Sequence, residues 1–164
     1  MAEVAEPRFA AKIVTRPALA RRLAELPRPM VFTNGVFDIV HRGHVTYLDR
    51  ARALGASLVV GVNTDGSARR LDKGPDRPLN PLEDRLAVIA ALESVSAVVA
   101  FDEDTPLDLV LACHPDVIVK GGDYSVDTTV GAAEVIAWGG RFVAIPLLAG
   151  RSSSALLKRI RARG

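Results

Sequence analysis

Residues 32–51 read FTNGVFDIVHRGHVTYLDRA, and the fold of the chain turns on this stretch. Its first half continues an apolar, β-branched run from Met30 to Val36, which reads as a strand. Its second half changes period: Val45, Leu48, Ala51 and Leu54 recur every three or four residues and stop at Gly55, a residue suited to the position just past a helix end. Between strand and helix stand His41 and His44, three residues apart around Gly43.

Outward from this unit the same alternation repeats. Apolar runs at Leu58 to Val62, Ala97 to Phe101, Val117 to Val119 and Phe142 to Ile145 each precede helical spacing or helix-start residues. Asn80 followed by Pro81 and Glu83 predicts a capped helix through RLAVIAALE. Further helices are expected from Thr105-Pro106, with Asp104 at or near the cap, near GAAEVIAW, and over SSALLKRIRA with a serine cap. Strands this apolar need cover on both faces, so the pattern predicts a Rossmann-like α/β fold, a parallel five-stranded sheet with helices on both sides. KGPDRPLNP and GGDYSVDTTVG form the long loops, residues 1–11 read as an N-terminal extension, and residues 12–164 read as one domain. Tyr47, Trp138 and Phe142 read as packing residues.

Composition narrows the class. The chain has 164 residues, 49% of them hydrophobic, enough for one well-buried core. A net charge of +2 without long basic blocks gives no reason to expect a nucleic-acid partner. The single Cys113 cannot form an internal disulfide, and MAEVAEPRFAAKIV has no apolar signal core, so a cytoplasmic protein without a membrane partner is expected.

In parallel α/β sheets, ligands collect beyond the carboxyl ends of the strands. NGVFDIVHRGH, KGGDY and PLLAGRSSS follow the first, fourth and fifth of the expected strands. Helix starts there offer unpaired N–H groups and a positive dipole end to phosphate. Neither G-x-G-x-x-G nor G-x-x-x-x-G-K-[ST] is present, so the site is of neither common phosphate-loop type. A zinc reading of His41 and His44 lacks ligands, since the remaining histidine, His114, belongs to a different loop.

GVFDIVHRGH is similar to the G-x-F-D…H-x-G-H signature of the nucleotidylyltransferase superfamily. TNGVFD, VNTD, RPLNPLEDR, FDEDTP, VKGGDY and GRSSSALLKRI together resemble its heptose 1-phosphate adenylyltransferases, from about Lys12 to Ile160. The resemblance implies transfer of AMP from ATP to D-glycero-β-D-manno-heptose 1-phosphate, giving ADP-heptose for lipopolysaccharide cores and releasing pyrophosphate. It implies Mg²⁺ carried by the triphosphate rather than by a protein cage, a homo-oligomer, and a separate heptose kinase and phosphatase in the same pathway. His41, His44 and Lys73 take the catalytic roles. Asn34, Gly35, Val36, Phe37, Gly43, Gly121, Asp123, Arg151, Ser152, Ser153 and Ser154 are implied to bind the nucleotide. Lys12, Asp38, Arg77, Lys120 and Arg85 are implied on the substrate side. The chain departs from the commoner pattern of its last loop, with serines for two threonines and Arg151 in place of a non-basic residue, so Arg151 is expected on the triphosphate. Related cytidylyltransferases carry an arginine where Leu147 stands. A glycerol 3-phosphate cytidylyltransferase, or a nucleotide-binding regulator without turnover, are the alternatives.

Overall fold

Six strands, β1 (Ile13–Val14), β2 (Met30–Gly35), β3 (Ser57–Asn63), β4 (Ala97–Phe101), β5 (Val117–Gly121) and β6 (Arg141–Ile145), form one sheet in the order β1-β4-β3-β2-β5-β6. Every pairing is parallel. The computed structural model describes residues 5–71, 74, 76–150 and 152–162. Among the described residues, seven α-helices connect and flank the strands: α1 (Leu19–Glu25), α2 (Arg42–Arg52), α3 (Asp65–Arg70), α4 (Leu82–Ala90), α5 (Leu107–Cys113), α6 (Ala132–Ala137) and α7 (Ser153–Arg161).

Strand residues alternate between two cores, as the two-residue period requires. Val31, Leu58, Val60, Val98, Val117 and Val119 face the core shared with Tyr47, Leu48 and Ala51 of α2 and Ile89 and Ala90 of α4. Phe32, Val59, Ala97, Val99 and Ile118 face the opposite core, with Leu19 of α1, Leu109 and Val110 of α5 and Val135 of α6. Leu48 alone, fully buried, contributes about 1.5–3 kcal/mol relative to an exposed leucine. Helices thus cover both faces, and the five longer strands coincide with the five apolar runs of the sequence.

The sixth strand was not expected. β1 is two residues long and lies at the sheet edge beside β4, too short to show a period. Two helices were also not expected: α1, and α3, whose DGSARR sequence has no apolar stripe and is held by its Thr64 cap. Two expected caps are replaced. α4 starts after Pro81, and Asn80 instead turns its amide to the backbone carbonyl of Asp38. α5 starts after Pro106, leaving Asp104 to pair with Arg70. In both cases a long-range polar partner outcompetes the local cap, which sequence spacing cannot reveal.

β2 lies between β3 and β5, so the chain runs outward from β2 in both directions. The switch in strand order falls at the carboxyl ends of β2 and β5, where such sheets open a crevice.

Candidate active site

Beyond the carboxyl end of β2 the backbone bends sharply, and Phe37 adopts a left-handed φ of 50°. That conformation costs a bulky residue about 1–3 kcal/mol, and burial of the ring, 7% exposed, offsets it by about 1.5–3 kcal/mol. The ring lies over Gly35, where a Cβ would come within 3.0 Å of Phe37 Cε2. Its edge then meets His44, with ring centroids 5.6 Å apart.

The two histidines cap α2. The Gly43 N–H donates to His41 Nδ1 at 3.0 Å, and the His41 N–H donates to His44 Nδ1 at 3.3 Å. An Nδ1 that accepts a hydrogen bond carries no proton, so each neutral ring carries its proton on Nε2, at the edge away from the capped backbone. The rings lie 4.1 Å apart between centroids. Burial, followed by the neighbouring His41, pushes the His44 pKa down to about 4. At neutral pH His44 is therefore an uncharged N–H donor at the positive end of a helix.

A cavity of about 600 Å³ opens in front of this pair. Asn34, Gly35, Val36, Phe37, Asp38 and Gly43 line its floor with the histidines. One lobe, over β3 and β4, is formed by Asn63, Ala68, Leu71, Asp104 and Pro106. The other, over β5 and β6, is formed by Tyr47, Lys120, Gly121, Tyr124, Leu147 and Leu148, with Ser152, Ser153 and Ser154 at the start of α7. Gly121 lets Leu147 pack closely against the strand end: a Cβ there would sit 2.5 Å from Leu147 Cδ2 and 3.3 Å from Tyr47 Cε2. The adjoining Gly122 has φ 94°, a conformation glycine adopts without strain. Tyr47, read from the sequence as packing, is both packing and wall; its hydroxyl bonds Thr33 Oγ1 at 2.7 Å and the Val119 carbonyl at 3.2 Å. Burial raises its pKa.

The charged residues implied by the sequence divide into three kinds. Lys120 lines the cavity, donates to the Asn34 carbonyl at 3.2 Å and lies 5.9 Å from the centre of the Tyr124 ring. Asp38 and Arg77 also line it but are committed to each other at 2.7 Å, and Asp38 further accepts the Leu79 and Asn80 N–H groups, each at 2.9 Å. Burial opposes the Asp38 charge, but the Asn80 N–H, Arg77 and the Leu79 N–H outweigh it and hold the carboxyl below its ordinary range. This pair clamps the 77–80 loop onto the floor. Arg85 and Lys12 do not line the cavity. Arg85, 1% exposed, lies beneath the floor and donates to the carbonyls of Val36 and Asn63 at 2.8 Å and Asn80 at 3.0 Å, while pairing with Asp65 at 2.6 Å. Lys12 donates to the Leu92 carbonyl at 3.0 Å, and burial lowers its pKa. Asp123 is exposed and outside the lining, while its neighbour Tyr124 is within it. Lys73 and Arg151 lie outside the described residues.

Among wall residues that sequence reasoning did not single out, Tyr124 adjoins the glycine pair and Asn63 ends β3, positions that follow strands. Leu71 and Leu148 carry no sequence signal beyond hydrophobicity.

A parallel sheet with helices on both faces, a cavity at its switch point and two imidazole rings capping a helix start define a Rossmann-like α/β protein with its candidate site at that helix start. The chain belongs to the cytidylyltransferase-like family, whose model matches residues 32–145. It is 60% identical over 156 residues to a D-beta-D-heptose 1-phosphate adenylyltransferase from Bordetella bronchiseptica, covering 94% of this chain and 96% of that relative. It is 55% identical over 131 residues to the bifunctional protein HldE of Methylobacillus flagellatus, covering 80% of this chain but 27% of that longer protein. Among solved structures, the lipopolysaccharide core biosynthesis protein from Thermoplasma volcanium is 31% identical, with a TM-score of 0.60 over 73% of this chain and 95% of its own. A pantoate-beta-alanine ligase from Francisella tularensis, 11% identical with a TM-score of 0.60 over 90% of this chain and 72% of its own, shares the fold.

Proposed function

We propose that this chain is a nucleotidyltransferase that moves AMP from ATP to D-glycero-β-D-manno-heptose 1-phosphate, forming ADP-heptose for lipopolysaccharide cores and releasing pyrophosphate. The observation that carries this reading is the 60% identity to a heptose 1-phosphate adenylyltransferase over nearly the full length of both chains. A cytidylyltransferase for glycerol 3-phosphate, or a regulator without turnover, is not favoured by that identity.

The chemistry fits the site. A phosphate oxygen of the sugar 1-phosphate attacks the α-phosphorus of ATP, the bond from that phosphorus to the bridging oxygen breaks, and the electron pair leaves with pyrophosphate. The attacking oxygen is already anionic, so no general base is required, and catalysis rests on alignment and on charge stabilisation. His41 and His44 supply Nε2–H donors to the phosphate oxygens on which charge grows, fixed beforehand by their Nδ1 bonds. Because His44 is neutral, its donor role does not change across the neutral pH range. Lys120 adds positive charge on the nucleotide side, and the sequence resemblance adds Lys73 and Arg151.

Magnesium fits as an ion carried by the triphosphate, since Mg²⁺ prefers phosphate oxygens and water to a protein cage. Among the described residues no group of three or more His, Cys, Asp or Glu side chains is placed to hold a metal. When bound, the ion screens phosphate charge. No helix among the described residues is long and apolar enough to cross a membrane, and we place the reaction in the cytoplasm, where ATP is available.

The test is pyrophosphate release with a matrix of nucleoside triphosphates against sugar 1-phosphates and glycerol 3-phosphate. ATP with the heptose 1-phosphate is expected to be the preferred pair, with ADP-heptose as product. Preference for CTP with glycerol 3-phosphate would overturn the reading.

A further inference from the structure

The two lobes of the cavity differ in chemistry, and the difference assigns them. The lobe at β5 and β6 is lined by Tyr47, Tyr124 and Leu147, packed over Gly121, with Lys120 beside them. Aromatic and aliphatic side chains beside a cation suit a nucleobase and its phosphates. The lobe at β3 and β4 presents an amide, Asn63, and a carboxylate, Asp104. A carboxylate repels a triphosphate, so it belongs beside the uncharged part of a ligand, and a sugar offers hydroxyl donors that a carboxylate accepts.

We infer that Asp104, held by Arg70, determines acceptor specificity by accepting hydrogen bonds from hydroxyls of the sugar 1-phosphate. The inference rests on the reaction proposed above. Arg70 Nε donates to Asp104 Oδ1 at 2.6 Å, while Oδ2 has no partner among the described residues. The loop that carries Asp104 is tied down from α3 at three points. Ser67 Oγ donates to the Glu103 carbonyl at 3.0 Å, Thr64 bonds the Asp102 carboxylate, and Arg70 also donates to the Asp102 carbonyl. Asn63 Nδ2 donates to the same Ser67 hydroxyl at 2.9 Å, linking both polar groups of the lobe in one network.

A purely structural role explains this arrangement poorly. The Arg70 and Asp104 side chains are 46% and 79% exposed, and an ion pair so open to water contributes little to stability. What the pairing does is orient one carboxylate oxygen and leave the other available at the cavity wall. Arg70 is thus a positioning residue, and Asp104 is the group that meets the acceptor.

Steady-state kinetics on the full chain test this, with ATP and the heptose 1-phosphate varied separately. Asp104→Ala should raise KM for the sugar phosphate by roughly ten- to a hundredfold, as expected for lost hydrogen bonds to a charged group, with KM for ATP and kcat close to wild type. Asp104→Asn, which keeps one acceptor oxygen, should fall between. Glu103→Gln, which alters the neighbouring carboxylate that pairs with Arg16 at 3.4 Å and lies outside the cavity lining, should leave both KM values in place. The inference fails if Asp104→Ala leaves the sugar KM unchanged, or if Asp104→Ala and Glu103→Gln depress all parameters together. A wild-type chain that releases no pyrophosphate with the heptose 1-phosphate overturns the acceptor assignment itself, a result distinct from an active wild type with an indifferent Asp104.

Discussion

Two of the helix starts at the cavity, those of α2 and α7, are built differently. α2 is embedded: Gly43, Tyr47, Leu48 and Ala51 are buried, and its cap is made by two histidine rings that bond the backbone. α7 has no buried residue and is capped by Ser152, whose Oγ accepts the Ala155 N–H at 3.1 Å. It is tied to the rest by Ser153 Oγ donating to the Ile39 carbonyl at 3.0 Å and by an exposed Arg161–Asp76 pair at 3.2 Å. The helix that carries the proposed donors is thus fixed by packing, whereas the helix at the cavity rim has no buried residue and is held by polar contacts. Rigid placement is needed where a fraction of an ångström decides the alignment of the reacting phosphorus. A lightly attached rim suits the end of the triphosphate that must leave.

The largest way to break this contrast is to undermine the fixed side. Arg85→Met would leave Asp65 and three backbone carbonyls without their guanidinium, and loss of one partner from a buried ionic network costs about 3–5 kcal/mol. Urea unfolding should show that loss; an unchanged midpoint would mean that the floor does not depend on Arg85. Next come the donors themselves. His41→Ala or His44→Ala should lower kcat by about a hundredfold or more, the effect of removing an oxyanion-type donor, with ATP binding less affected. Near-normal turnover in either variant would remove that ring from the mechanism.

A pH experiment sharpens the burial argument. The His44 pKa lies near 4 in the fold against 6.5 for a free imidazole, so the unfolded chain binds the extra proton first as pH falls. The contribution of neutral His44 is present in full above about pH 6.5 and is lost as pH drops through about 4. Stability curves of wild type and His44→Ala should diverge in that window, and parallel curves would contradict the assigned burial. The smallest effect belongs to the rim. Ser153→Ala removes one hydrogen bond and should cost about 0.5–1.5 kcal/mol, seen as a modest rise in KM for ATP with kcat retained. A fall in kcat as deep as that of the histidine variants would erase the distinction between the two helices.

Much of this was legible in the sequence. The strand-to-helix switch at residues 32–51 and the four later apolar runs determine the parallel sheet, because strands buried on both faces cannot be polar and the helices that cover them bury an apolar stripe. The histidine pair, Gly121 and the serine loop are likewise readable, since each follows a strand and opens or approaches a helix. The short β1 and the polar α3 escaped because neither carries a period.

Only the tertiary structure decided how the charges are used. Sequence placed Asp38, Arg77, Arg85 and Lys12 among groups for the substrate. The fold commits Asp38 and Arg77 to each other, puts Arg85 beneath the floor, and sets Lys12 against the Leu92 carbonyl. It also brings Asp104 to the cavity wall across from Lys120. Local pattern determines which segments form strands and helices, because period and capping act over a few residues. Whether a charged side chain meets a ligand or a neighbour is set by partners dozens of residues away, as with Asp38 and Arg77, 39 positions apart, and that information exists only once the chain has folded.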